Sequence, residues 1–148
     1  MQKASDVIGR SVVVREGGEA VGKIKDLVVD TNGRQVLGFV ISKGLLRSVR
    51  LAPWAGVQVI GPDAVILATA DSIVKAGEAP DMKAVLDKDL SIQGLRLQTT
   101  TGKELGKIDD FQFDEHTGVV LGYELAGGVF GRNSFMPTPA SLEFGKDL

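Results

Sequence analysis

One stretch of the chain gathers groups that could do acid–base or metal chemistry. Asp109, Asp110, Asp114, Glu115 and His116 place four carboxylates beside the only histidine. Carboxylate oxygens and imidazole nitrogens ligate divalent cations, and a carboxylate beside a histidine can serve as a proton relay. Both uses need the groups to converge on one point. Asp109 and Asp110 are neighbours in a strand-like segment, so alternation sends them to opposite faces. His116 falls in a turn between Asp114 and Gly118, where a histidine is ordinarily solvated. The stretch reads as a solvated acidic hairpin, with no metal site and no catalytic residue expected. Gly127-Gly128-Val129-Phe130-Gly131 is glycine-rich. A phosphate cradle, however, needs such a loop to open onto a helix, and no helical pattern follows. There is no nucleophile-elbow motif, and the absence of cysteine excludes disulfides and thiolate metal sites. No cofactor is expected, and the chain is not expected to be an enzyme.

The loops after the third strand of each half point instead to contact. One reads Gly44-Leu45-Leu46-Arg47-Ser48 and the other Gly128-Val129-Phe130-Gly131-Arg132. Bulky apolar residues followed by arginine can fold back to plug a barrel end. They can equally dock a partner, because apolar side chains and arginine favour interface centres. The partner-binding candidates are Leu45, Leu46, Arg47, Arg50, Val129, Phe130 and Arg132. Lys43, Arg47 and Arg50 also form a basic group. It could meet an acidic protein patch or RNA phosphates, or serve only as a solvated edge that discourages strand pairing. Few aromatics interleave it, so base stacking has little support.

These loops correspond because the chain repeats. Shifted by 84 positions, it matches itself without a gap. Ile8 meets Ile92, Gly22-Lys23-Ile24 meets Gly106-Lys107-Ile108, and Asp26 and Asp30 meet Asp110 and Asp114. Val36-Leu37-Gly38 meets Val120-Leu121-Gly122, and Pro53 meets Pro137. Two copies are too few for a solenoid, so the sequence reads as two small domains. Residues 1–75 are the first, 76–91 a connector and 92–148 the second. The first copy continues through Ala64-Val65-Ile66-Leu67-Ala68-Thr69, a plain strand. The second reaches Leu148 where that strand should begin. It is expected to lack that strand or to close differently, leaving an edge for the other copy or another chain to pair.

Within the first copy, strands are expected at Ser11–Arg15, Ala20–Asp30 and Gln35–Lys43, with Leu37, Phe39 and Ile41 on one face. Shorter strands follow near Val49–Leu51, Gly56–Ile60 and Ala64–Ala68. Gly17-Gly18 and Asn32-Gly33 supply hairpin turns. Six short strands read as a small barrel or sandwich. In the second strand the apolar parity switches, with Ile24 on one phase and Leu27 and Val29 on the other. The second copy repeats this with Ile108, Phe111 and Phe113. A one-sided strand cannot switch without an extra residue. Bulges are therefore expected near Lys25-Asp26 and Asp109-Asp110, the aspartates accepting from freed backbone N–H groups. In the connector, Ala79-Pro80-Asp81 looks like a helix start, and Met82, Val85 and Leu86 fall at helical spacing.

Apolar residues make up 43% of the chain, enough for a core, but aromatics only 5%, so Val, Ile and Leu must fill it. Net charge is −2, without the basic surplus usual for nucleic-acid binding. The charge is unevenly spread. Residues 7–75 carry nine Lys/Arg against six Asp/Glu, while residues 92–148 carry five against eight. The two halves need not meet the same partner. No run approaches the roughly 18 apolar residues of a membrane span, and the first ten residues lack a secretory pattern. A cytoplasmic setting is expected.

The ordered motifs resemble the PRC-barrel domain family. Gly22-Lys23-Ile24, Asp26, Asp30, Leu37-Gly38-Phe39 and Gly61-Pro62-Asp63 carry the likeness. The second copy repeats it in Gly106-Lys107-Ile108, Asp110, Asp114, Leu121-Gly122-Tyr123 and Gly145-Lys146-Asp147. The resemblance implies an all-β fold of two PRC-type barrels with about six short strands each, joined by a short helical connector. It also implies protein contact without catalysis. The expected function is a protein-interaction module whose partner is another protein or a second copy in a homodimer. A role in RNA processing or ribosome assembly is the alternative by family analogy.

Overall fold

The computed structural model describes residues 1–42, 50–88, 93–99, 101–126, 134–137 and 142–145. The described chain is mostly strand, gathered in two sheets. The first sheet holds β2 (Ser11–Val14), β3 (Ala20–Val29), β4 (Val36–Ser42), β5 (Arg50–Pro53), β6 (Val57–Ile60), β7 (Ala64–Leu67) and β8 (Val74–Lys75). They lie in the order β6-β7-β2-β3-β4-β5-β8. The second holds β9 (Arg96–Thr99), β10 (Glu104–Phe113), β11 (Val120–Ala126), β12 (Ser134–Pro137) and β13 (Leu142–Gly145). Their order is β12-β11-β10-β9-β13, and β1 (Gln2–Lys3) also pairs with β10. Shifting β3, β4 and β5 by 84 gives the bounds of β10, β11 and β12.

The expected bulges are present. The β3–β4 register slips between Ile24 and Asp26, and the β10–β11 register between Ile108 and Asp110. Each extra residue turns its aspartate back along the chain. Asp26 Oδ1 accepts from Leu27 N–H at 2.8 Å, and Asp110 Oδ1 accepts from Phe111 N–H at 2.8 Å. A second slip was not foreseen. Val28 pairs with Gly38 but Val29 pairs with Val36, leaving Leu37 as the odd residue. Leu37 therefore does not share the inner face of Phe39 and Ile41. It packs outside, against the connector helix α2 (Pro80–Asp87).

The copies close differently. In the first, β7 lies parallel to β2, between β2 and β6. In the second, β13 pairs antiparallel with β9 and takes the place that β7 holds beside β2. Among the described residues neither ladder closes on itself, so the barrels expected from the resemblance are open sheets. The reason is that the copies finish each other. One continuous apolar core takes Val12, Ile24, Phe39 and Leu67 from the first copy and Leu97, Ile108, Phe111 and Tyr123 from the second.

The joint has a local two-fold. Val36 N–H donates to Gly118 O and Val120 N–H donates to Arg34 O, both at 2.8 Å. Under the offset of 84 each bond maps onto the other, with Gln35 and Val119 bridged at the centre. Such a reciprocal contact is the pattern of a symmetric dimer, here within one chain. Trp54 stands 6.1 Å from Phe39 and meets Phe113 of the other copy edge-on at 6.2 Å. The buried Tyr123 hydroxyl donates to the Gly33 carbonyl, and burial pushes its pKa up, so it stays a donor.

The first seven residues belong spatially to the second copy. Gln2 and Lys3 pair with Phe113 and Gln112. The short helix α1 (Ala4–Val7) buries Ala4 and Val7 in the shared core. Ser5 donates to Asp110 through its backbone N–H, at 3.1 Å, and through its hydroxyl. The amino terminus pairs with Glu115.

Candidate protein-docking face

The residues that sequence spacing gathered are not gathered in space. Asp110 is buried and its carboxylate serves Ser5 and Phe111. Asp109 points out and is exposed. Asp114 caps its own turn, accepting from His116 N–H at 2.7 Å and Thr117 N–H at 3.1 Å, which holds its pKa below the usual carboxylate range. The N-terminal amine does the same for Glu115. Among the described residues no group of three or more such side chains could hold a metal ion. Of the partner-binding candidates, Leu45, Leu46, Arg47, Val129, Phe130 and Arg132 lie outside the described residues, as does Lys43. Arg50 is described. It is half-buried in β5, between Ile41 of β4 and Lys75 of β8.

The difference between the two copies lies on the outer faces of their sheets. In the first copy that face is apolar and covered. Val28, Val40 and Leu51 are buried beneath Ala79, Met82 and Val85 of the connector. Burying such side chains stabilises by about 1.5–3 kcal/mol each, which is why an eight-residue helix stays in place. Gly38 makes room for it. A Cβ built there would clash first with the Ala52 carbonyl oxygen of β5 and would also lie 2.8 Å from the Met82 methyl. The segment also covers an edge: β8 pairs with β5 through Arg50↔Lys75 and Leu51↔Val74 before the chain turns into α2.

On the second copy the equivalent residues are Gln112, Glu124 and Phe135. No helix covers them among the described residues. Phe135 is 47% exposed and Leu121 37%. Phe135 lies over Gly122, where an added Cβ would come within 2.8 Å of its Cε2. Its ring thus stands where Met82 stands in the first copy. Beside it, Asp109, Glu124, Leu125, Ser134 and Phe135 line an open cleft of about 270 Å³. Glu124 pairs with Lys3 at 2.9 Å, and this contact raises the Lys3 pKa. Beyond β11, the outer edge of β12 pairs with no described strand. Sequence reasoning passed over this face. The signal was available in the offset, where Val28, Val40 and Leu51 meet Gln112, Glu124 and Phe135.

The architecture defines a class: a tandem of small open β-sheet domains fused around a shared core, with side chains arranged for packing. The sequence model of the PRC-barrel domain matches residues 1–73 and 88–147. The chain belongs to the PRC-barrel family, as two repeats. No curated protein matches it. No described helix is long and apolar enough to cross a membrane.

Proposed function

We propose that this chain is a non-catalytic protein-interaction module that acts as an adaptor in the cytoplasm. The observation that carries this reading is the unequal treatment of equivalent faces. One outer face is buried under the chain's own helix. Its counterpart leaves Phe135 and Leu121 exposed beside a strand edge that pairs with no described strand. Exposed aromatics at a rimmed cleft mark contact surfaces, and an unpaired edge accepts another strand. A rigid two-fold core is suited to holding such a face in fixed geometry.

The test compares the native chain with a Phe135→Glu/Leu121→Glu variant as immobilised baits in extract of the source cell. Proteins retained by the native chain, resistant to nuclease and lost from the variant, support the reading. Recovery of RNA instead, released steeply by salt, would favour the ribosome-assembly role. Equal retention by both baits would remove the face from consideration. Light scattering of both proteins identifies a second copy as the partner if the native mass doubles and the variant's does not.

A further inference from the structure

We infer that the outer face of the second copy receives a partner segment built like residues 74–87: an extended pair that adds to the β12 edge, followed by an amphipathic helix bearing basic residues. This inference rests on the protein-interaction reading above and specifies its ligand. The first copy supplies the template. There, Val74 and Lys75 extend the sheet beyond β5, and the chain then turns so that α2 lies across β3 and β4. Strand β12 is the equivalent of β5, and β10 and β11 are the equivalents of β3 and β4. The second copy thus presents the equivalent edge and adjoining face, with the Phe135 ring at the Met82 position as the apolar surface on which a helix would rest. This combines two common modes of peptide recognition, strand addition and a helix laid on an apolar surface.

Charge sets the sign of the ligand. Residues 74–87 carry Lys75 and Lys83 against Glu78, Asp81 and Asp87, a balance of −1. The first copy faces outward with Lys25 at the bulge. The second copy reverses that position to Asp109 and replaces Val40 with Glu124. With Lys3 held by Glu124, the described residues around Phe135 keep a net negative charge through Asp109. An acidic segment suits the first receptor. A basic one suits the second, with its apolar side on the Phe135 ring and Leu121.

The experiment uses the isotope-labelled full chain, followed by NMR as two synthetic peptides are added. One carries the sequence of residues 73–87, with a balance of −1. The other is the same peptide with Asp81→Lys and Asp87→Lys. The basic peptide is expected to shift amide signals at Leu121, Glu124 and Ser134–Met136, and to bind at least about threefold more tightly than the acidic one. Phe135→Ala, at an exposed site, should weaken it about tenfold. Asp109→Lys, which restores the charge of Lys25, should reverse the preference between the peptides. The inference is overturned if no shifts appear with peptide in the millimolar range, where tethered contacts of this size operate. Shifts confined to β3–β5, or a preference untouched by Asp109→Lys, overturn it equally. If partner retention still depends on Phe135 while the peptide fails, only the ligand class is wrong. If retention is indifferent to Phe135, the interaction reading falls as well.

Discussion

Replacing Ser5 with alanine probes the clasp between the amino terminus and the second copy. Asp110 is only 5% exposed, and its carboxylate accepts from the Ser5 hydroxyl, Ser5 N–H and Phe111 N–H. The substitution removes the hydroxyl and leaves both backbone donors. A hydrogen bond to a buried charge contributes about 1.5–3 kcal/mol. Alanine regains about 0.5 kcal/mol of helix propensity in α1. The net loss is about 1–2.5 kcal/mol. For 148 residues, an unfolding entropy of about 2.1 cal/mol/K per residue gives about 0.3 kcal/mol/K. The melting temperature should therefore fall by about 3–8 °C in scanning calorimetry at neutral pH. The native chain should melt in one transition, because one core holds both copies. A shift below about 1 °C would show that the hydroxyl contributes nothing. Two resolved transitions, only one of them moved, would show that the copies unfold independently.

Asp26, the counterpart of Asp110, accepts from Leu27 N–H, and burial raises its pKa. A raised carboxyl favours the protonated folded state, so its contribution is greatest below the unfolded value of about 3.9 and is lost as pH rises through the folded value. Asp26→Asn keeps the acceptor without the charge. The stability of native protein relative to this variant should decline from acid to neutral pH in urea titrations, and a rising difference would contradict the assigned cause. Gly118 has φ +76° and lies against Trp54 and Gln35, so Gly118→Ala adds strain of about 1–2 kcal/mol and displaces the only tryptophan. Unchanged emission and an unchanged urea midpoint would refute the tight two-fold joint. Acetylating the amino terminus removes the cation that lowers the Glu115 pKa. A lowered carboxylate stabilises above its unfolded value and loses that contribution as pH falls. Free and acetylated chains should therefore differ at neutral pH and converge in acid, and a difference that grows in acid would contradict the ion pair.

Local rules carried much of the fold. The parity switch between Ile24 and Leu27 demanded a bulge because a strand has a period of two. The aspartate beside it followed from the N–H groups a bulge frees, and Pro80 with the spacing of Met82 and Val85 located α2. Where two local irregularities fell close together, the rule failed. Leu37 looked inward by alternation from Phe39, but the second slip at Val28–Val29 reversed it. Residues 1–7 are too short to show periodicity, and their structure depends on β10, more than a hundred residues away. The offset of 84 showed that the copies are alike. It could not show that Gln35 meets Val119, since a contact across a two-fold leaves no mark in the spacing of either copy.

The same limit explains why the sequence pointed to loops while the structure draws attention to a sheet face. Leu45-Leu46 and Val129-Phe130 stand out because apolar pairs are unusual in loops. Phe135 does not stand out, because an aromatic in a strand is ordinary. Its significance appears only when the copies are laid over one another and, among the described residues, a helix is found on one and not the other. Duplication gave both sheets the same receptor geometry, with a glycine under the helix position and an edge strand beside it. One receptor is filled from within the chain; the other has Gln112, Glu124 and Asp109 where the first has Val28, Val40 and Lys25, and Phe135 where the first has Leu51. A polar rim around an exposed ring is the composition of a contact surface. That composition makes Phe135 a residue on which an adaptor role can be tested.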